Sequence, residues 1–147
     1  MIVSGKILTT FKTNFILTAM VLAGFSAFGQ ISIEPGPDVT PVDMVENIVG
    51  EGIQYSNVTF QGADASRGTF TNGSSTNLGI GSGIFLTSGA GYNIPGPNAS
   101  TNAGSNNGMP GHASLNAITT STTYDAAVLE FDFIPESDTL RFKYVFG

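Results

Sequence analysis

A stretch of 57 residues, from Gly68 to Tyr124, contains no Asp, Glu, Lys or Arg, and it limits what this chain can fold into. Its polarity comes from Ser, Thr, Asn and Gly, so it is not a polyelectrolyte tail. Two β-rich segments, Thr69-Phe70-Thr71 and Ile84-Phe85-Leu86, lie within it between turns. Just upstream, apolar residues from Ile53 to Phe60 repeat with a period near two. The sequence therefore predicts a mainly β domain, an antiparallel and sandwich-like fold.

The segment Gly89 to Gly111 has a composition that excludes a helix or a central strand. Six Gly, three Pro and five Asn occupy 14 of its 23 positions. Connections longer than about 12–15 residues are usually functional or disordered. This Gly/Asn-rich loop is therefore the first candidate for a ligand site, and the alternative is a surface loop that closes one end of the sandwich.

One short helix is predicted near the start of the domain. Thr40 is a suitable N-cap, Pro41 suits the first helical position, and Asp43 completes a capping box. Gly50 and Gly52 predict the end of the helix. Its expected buried stripe is Val42, Val45, Ile48 and Val49. The Pro- and Gly-rich residues before it predict a linker over 30–39, so the domain is expected to span 40–147.

Two segments near the C-terminus alternate apolar and charged residues and predict half-buried strands. They are Ala127 to Phe133 and Leu140 to Phe146. Joined as a hairpin, they would pair Phe133 with Leu140, Phe131 with Phe142 and Leu129 with Tyr144. The same register sets Asp132 against Arg141 and Glu130 against Lys143, so the apolar pattern and the charges favour one pairing.

Glu130 and Asp132 also suggest an enzymatic alternative. Two carboxylates on one face of a strand lie about 6.5–7 Å apart, close to the spacing in an inverting glycosidase. In the predicted hairpin each carboxylate faces a cation, which favours the ionised form, whereas a general acid needs its pKa raised by burial. We therefore favour a structural role and predict no catalytic residues.

Charge and residue content exclude several other classes of function. The formal net charge is −6, and such an acidic chain cannot neutralise several phosphates, so no nucleic-acid partner is expected. The absence of Cys excludes disulfides and Cys-ligated zinc. His112 is the only histidine, which excludes a site with two His ligands, and its sequence context predicts a helix start or a surface position. The glycines of Gly79 to Gly83 match neither a phosphate loop nor a nucleophile elbow and predict turns.

The N-terminus has the pattern of a secretory signal peptide. Lys6 and Lys12 precede an uncharged apolar run from Phe15 to Phe28, and a small-residue cleavage site follows. The run is shorter than the roughly 20 residues of a membrane span. We expect residues 1–29 to be removed between Gly29 and Gln30, leaving no transmembrane segment in the mature chain. The alternative is an uncleaved anchor or a buried helix.

Several motifs in the second half of the chain, in order and spacing, resemble the choice-of-anchor L domain family over Val45 to Gly147. The most specific are the D-A-A-V-L-E-F-D-F-x-P string from Asp125 to Pro135 and the Y-V-F string from Tyr144 to Phe146. Gly79 to Leu86 and Pro110-Gly111 accompany them. The resemblance implies a large secreted bacterial surface protein, of a kind often delivered by type IX secretion, and a context of adhesion rather than a defined chemistry.

The chain departs from the family pattern at two places. Where the family has an acidic run after Pro-Gly, this chain has His112, Ser114 and Asn116, so a calcium site built on Asp125, Asn116 and Ser114 is expected to bind more weakly than about 1 mM. The family pattern also continues beyond Tyr-Val-Phe, so we expect the domain to be truncated at Gly147 as a fragment of a longer protein. No other cofactor is expected.

These features predict a non-catalytic module, secreted or at the cell surface. Its expected partner is an envelope component, a polysaccharide or a neighbouring β module. A carbohydrate-binding module is one alternative. The N-terminal part of a secreted hydrolase, with catalytic residues beyond position 147, is the other.

Overall fold

A computed structural model of the chain describes residues 30–98 and 100–147, and the predicted signal peptide lies outside them. Five strands and two α-helices are the main elements of the described residues, beside three short 3₁₀ turns. In chain order they are β1 (Ser32–Pro35), α1 (Pro41–Val49), β2 (Tyr55–Gln61), β3 (Arg67–Thr71), β4 (Gly83–Leu86), α2 (Ala113–Asn116) and β5 (Val128–Phe133). The predicted mainly β class is confirmed.

The strands form two antiparallel sheets. One sheet has the order β1-β3-β4, and the other contains β2 and β5. The central strand β3 places Gly68 opposite Pro35 on one side and Phe85 on the other. A Cβ at Gly68 would lie 2.2 Å from the Glu34 carbonyl oxygen and 2.7 Å from the Phe85 ring, so only glycine fits there. Helix α1 contacts both β2 and β4 and so joins the two sheets.

The linker predicted over 30–39 is wrong in its central part. Ser32–Pro35 is strand β1, which pairs with β3 in the register Ser32↔Thr71 to Pro35↔Gly68. The apolar–polar alternation of this strand is only four residues long, too short to predict a strand beside the Pro- and Gly-rich residues that follow. Because β1 is an edge strand, Pro35 can stand at its end without breaking a central ladder. The domain therefore begins upstream of residue 40.

Helix α1 begins as the sequence predicts. Thr40 Oγ1 accepts a hydrogen bond from Asp43 N at 3.2 Å, and Asp43 Oδ2 accepts from Thr40 N at 2.7 Å and from the Thr40 hydroxyl at 2.6 Å. The predicted buried stripe is only partly right. Met44 and Val45 are fully buried, whereas Val42 and Ile48 are exposed. The helix contacts a strand of each sheet, and these tertiary contacts bury a different face.

Arg67 is the one buried cation of the described part of the chain. Its guanidinium donates to the Val39 carbonyl and to Asp64 Oδ1, the latter at 2.5 Å, and lies 5.0 Å from the centroid of the Phe60 ring. Arg67 also binds through its backbone, because its carbonyl accepts from Gly36 N at 3.0 Å. One side chain thus joins β3 to the turn before α1 and to β2.

The predicted C-terminal hairpin is wrong. Strand β5 exists, but its partner is β2, in a register that runs from Tyr55↔Phe133 to Gln61↔Val128. The segment 140–147 contains no strand and is exposed. The expected pairs are therefore not formed: Phe133 with Leu140, Phe131 with Phe142, Leu129 with Tyr144, Asp132 with Arg141, and Glu130 with Lys143. Alternation predicts which face of a strand is buried, but it does not specify which strand lies beside it.

A β-bulge adjusts the register between β2 and β5. Between the pairs Ser56↔Asp132 and Thr59↔Glu130, β2 has two residues where β5 has one. Asn57 adopts a left-handed conformation with φ 53°, and its Nδ2 donates to Asp132 Oδ2 at 2.6 Å. The bulge keeps the aromatic residues at both ends of β2 on the apolar face of the sheet. It also gives Asp132 an amide partner in place of the expected arginine.

Candidate functional site

Asn107 ties the end of the Gly/Asn-rich loop to its beginning. Its Nδ2 donates to the Gly89 carbonyl at 2.7 Å and to the Ser88 carbonyl at 3.3 Å. These acceptors lie 18 and 19 residues upstream in the sequence. The loop is therefore closed at its base by one side chain, instead of being held only where its ends join regular structure.

Asp125 holds the same base from the opposite side. Its Oδ1 accepts from Met109 N at 2.6 Å, and its Oδ2 accepts from Asn107 N at 3.2 Å. Its own N–H donates to the Met109 carbonyl at 2.9 Å. Asp125 has φ 51°, in the left-handed region that Asp and Asn tolerate better than most residues. Both carboxylate oxygens thus organise the loop backbone.

Further side-chain hydrogen bonds hold the middle of the loop. The hydroxyls of Tyr92 and Ser105 are hydrogen bonded at 2.7 Å, and Asn93 Nδ2 donates to Ser105 Oγ at 3.4 Å. At the outer edge, Gln30 Nε2 donates to the carbonyls of Pro95 and Gly96. Tyr92 nevertheless remains 63% exposed. The loop therefore presents a neutral surface with a fixed aromatic ring.

The loop ends at a close backbone contact. A Cβ at Gly111 would lie 2.1 Å from the Thr123 carbonyl oxygen, so this position requires glycine. Gln61 Nε2 of strand β2 donates to the Gly111 carbonyl at 3.2 Å. Pro110 forms an isolated antiparallel bridge with Tyr124. The Pro-Gly motif thus ends the loop by packing it against the segment that leads into β5.

His112 is at a helix start, as predicted. It is the N-cap of the four-residue helix α2, and its Nδ1 accepts a hydrogen bond from Ser114 N at 3.3 Å. At the other end of that helix, Asn116 Oδ1 accepts from both the backbone N–H and the hydroxyl of Thr123, each at 2.7 Å. Both side chains therefore stabilise the connection between the loop and β5.

The structure places the three candidate calcium ligands in different surroundings. Both carboxylate oxygens of Asp125 face the loop backbone, the side-chain oxygen of Asn116 faces Thr123, and Ser114 lies exposed on α2. Calcium takes six to eight oxygen ligands, and these oxygens point to different partners. Within residues 30–98 and 100–147, no three His, Cys, Asp or Glu side chains are grouped so that they could hold a metal ion.

Glu130 and Asp132 lie on the exposed face of β5. The predicted cations do not face them, so that part of the argument against a glycosidase does not hold. The exposure of both carboxylates still argues against a glycosidase, because the general acid of a glycosidase is a carboxyl group shielded from water. Asp132 is bound by Asn57, and Glu130 lies opposite Thr59.

Sequence reasoning missed the residues that close the loop. Asn107 and Ser105 carry no signature of their own within a segment that is rich in Asn and Ser. The dipeptide Asn107-Gly108 predicts a turn, but it does not indicate which distant carbonyls the Asn side chain binds. Asp125 was singled out as an anion, and the structure shows that its partners are backbone N–H groups of the loop.

A family model described as the choice-of-anchor L domain matches residues 32–147. The chain belongs to the choice-of-anchor L domain family. The match begins at β1, upstream of Val45, in agreement with the strand found in the supposed linker. No curated protein and no solved structure matches the chain.

Choice-of-anchor L domains are surface-associated, non-enzymatic modules of secreted or cell-surface bacterial proteins. Membership therefore indicates a surface-associated module, and it does not identify a ligand. None of the helices in the described residues is long and apolar enough to cross a membrane.

Proposed function

We propose that this domain is a binding module of an adhesion-type protein, exported with its N-terminal signal peptide, and that it binds through the Gly/Asn-rich loop. The observation that carries the proposal is the closure of the loop by Asn107 and Asp125. A long loop that is held in one conformation loses less conformational entropy when it binds a ligand.

The chemistry of the loop surface favours an uncharged, hydroxyl-rich ligand. The segment has no ionisable side chain other than Tyr92, and its exposed polar groups are amides, hydroxyls and carbonyls. Tyr92 adds an exposed ring whose hydroxyl is already bound by Ser105. An aromatic face packs against the C–H face of a sugar ring, while neighbouring amides bind its hydroxyls. A polysaccharide of the envelope or matrix is therefore the ligand class we infer.

The experiment is retention of the exported protein on insoluble polysaccharides, such as peptidoglycan, chitin and cellulose. We expect one of them to retain the native chain and Tyr92→Ala to lower the retained fraction at least fivefold. Tyr124→Ala is the matched control, because Tyr124 is similarly exposed but lies outside the loop. We expect the control to bind as the native chain does.

Two results would count against the proposal. Equal loss of binding in both variants would indicate non-specific aromatic adsorption. Absence of retention on every polysaccharide would contradict the inferred ligand class. In that case, binding to intact envelopes that is abolished by prior protease treatment would indicate a protein partner, such as a neighbouring β module.

A further inference from the structure

The segment Leu140–Phe146, named here the C-terminal aromatic segment, is a strand sequence without a strand partner among the described residues. Its alternate residues Phe142, Tyr144 and Phe146 lie on one side, with ring centroids 6.0 and 5.5 Å apart. Phe142 is 74% exposed and Phe146 is 91% exposed. A row of exposed aromatic rings along one side of an extended segment is typical of a surface that binds another protein segment.

Strand β5 offers an edge with matching properties. In the two-stranded sheet, β2 covers one edge of β5, and no strand of the described residues covers the other. The apolar face of β5 carries Phe131 and Phe133, whose centroids are 6.0 Å apart, and its polar face carries Glu130 and Asp132. A strand added here would continue an aromatic face on one side and meet two carboxylates on the other.

The charged residues of the C-terminal aromatic segment are complementary to those of β5. Arg141 and Lys143 alternate with its aromatic residues, and both are exposed. The single ion pair found within residues 30–98 and 100–147 is Arg67–Asp64, so neither of these cations is engaged in one. Antiparallel pairing that sets Glu130 against Lys143 also sets Asp132 against Arg141. Opposite charges across strands favour that register, and like charges oppose a shifted one.

The path of the chain after β5 directs the segment away from its own β5 edge. Ile134 N donates to the Gln54 carbonyl at 2.9 Å, which holds the residue after β5 on the side of β2. Glu136 follows the same path, because its carboxylate lies beside Gly52. Residues 134–136 therefore run along the residues that precede β2. The chain does not turn back over the free edge of β5.

From these observations we infer that the C-terminal aromatic segment pairs with the free edge of β5 in a second copy of this chain. In a symmetric dimer each copy donates its segment and accepts the other, so both free edges are covered. The exchange buries the exposed rings and pairs the two cations with two carboxylates. This inference concerns a different surface from the loop and does not depend on the ligand of the loop.

Cysteine trapping distinguishes a second copy from pairing within one chain. The protein has no cysteine, so the variant Glu130→Cys with Lys143→Cys introduces the only two thiols. Directly opposed residues in an antiparallel pair have Cα atoms about 4.5–5.5 Å apart, within the range of a disulfide. We expect mild oxidation of the exported protein to give a dimer with two intermolecular disulfides. The single-cysteine variants are the controls and should give far less dimer.

Light scattering on the native chain and a charge reversal complete the test. We expect a concentration-dependent dimer, and Lys143→Glu should weaken it about tenfold, because the reversed pair occurs twice in a symmetric dimer. Mixing Lys143→Glu with Glu130→Lys gives a mixed dimer in which both 130–143 contacts again join opposite charges, so it should recover most of the loss. A cross-linked monomer would indicate an intramolecular hairpin and overturn the inference. A native chain that stays monomeric at several hundred micromolar would also overturn it.

Discussion

Replacement of Asp125 tests whether a carboxylate rather than chain connectivity holds the Gly/Asn-rich loop. Asp125→Ala removes two acceptor bonds, to Asn107 N and to Met109 N. A hydrogen bond to a charged group contributes about 1.5–3 kcal/mol, and we take the lower end because Asp125 is only half-buried. Alanine at φ 51° adds about 1 kcal/mol of backbone strain. Together these contributions give an expected loss in the free energy of unfolding of about 4 kcal/mol.

Two further variants separate these contributions. Asp125→Asn keeps a residue that tolerates the left-handed conformation and keeps one acceptor oxygen, so we expect a loss of about 1–2 kcal/mol. Asp125→Gly removes both hydrogen bonds without the backbone strain, so its loss should lie between those of the Asn and Ala variants. Denaturant unfolding of the exported protein measures all three.

Amide hydrogen exchange gives the local reading. In Asp125→Ala, the N–H groups of Asn107 and Met109 should lose protection about tenfold for each 1.4 kcal/mol of local destabilisation. Thr87 N, which donates to the Ser66 carbonyl at 2.9 Å, is the reference amide because it lies outside the loop. The reasoning would be refuted if Asn107 and Met109 kept native protection, or if they lost no more than Thr87.

Four further outcomes are expected. Thr40→Ala should cost about 1 kcal/mol by removing the helix cap. The hydrogen bonds from Thr40 lower the pKa of Asp43, so the stabilisation by the cap is present above the usual aspartate pKa and is lost as pH falls through the lowered value. In thermal melts, the difference in Tm between the native chain and Thr40→Ala should therefore be smaller at pH 2 than at pH 6. An equal difference at both pH values would contradict the capping argument. Arg67→Met should lower the free energy of unfolding by about 2–4 kcal/mol in denaturant, because the Val39 carbonyl loses its buried donor and the cation–π contact with Phe60 is lost. An unchanged free energy of unfolding would show that these contacts make no net contribution. Calorimetry should show calcium binding weaker than about 1 mM, and micromolar affinity would contradict that prediction. The intact mass of the exported protein should correspond to cleavage between Gly29 and Gln30, whereas retention of residues 1–29 would indicate an anchor.

Local interactions are what the sequence by itself determined. The start of α1 was predictable because Thr40 and Asp43 satisfy each other within three residues. His112 as a helix start was predictable for the same reason. The strands β2, β3, β4 and β5 were visible because each has a run of β-forming residues between turn residues. The family was also evident, because motif strings do not depend on the fold.

Tertiary structure alone decided which distant groups meet. Strand β1 was hidden because four residues give too short a pattern, and it is stabilised by pairing with β3, more than 30 residues away. The partner of β5 was mispredicted because cross-strand charge pairs contribute only about 0.2–1 kcal/mol each, too little to choose between strands when an apolar face is buried elsewhere. The structural role of Asp125 was likewise decided by which distant groups the fold brings to it. A carboxylate accepts hydrogen bonds from whatever donors the fold brings to it, and only the closed loop places the backbone N–H groups of Asn107 and Met109 there.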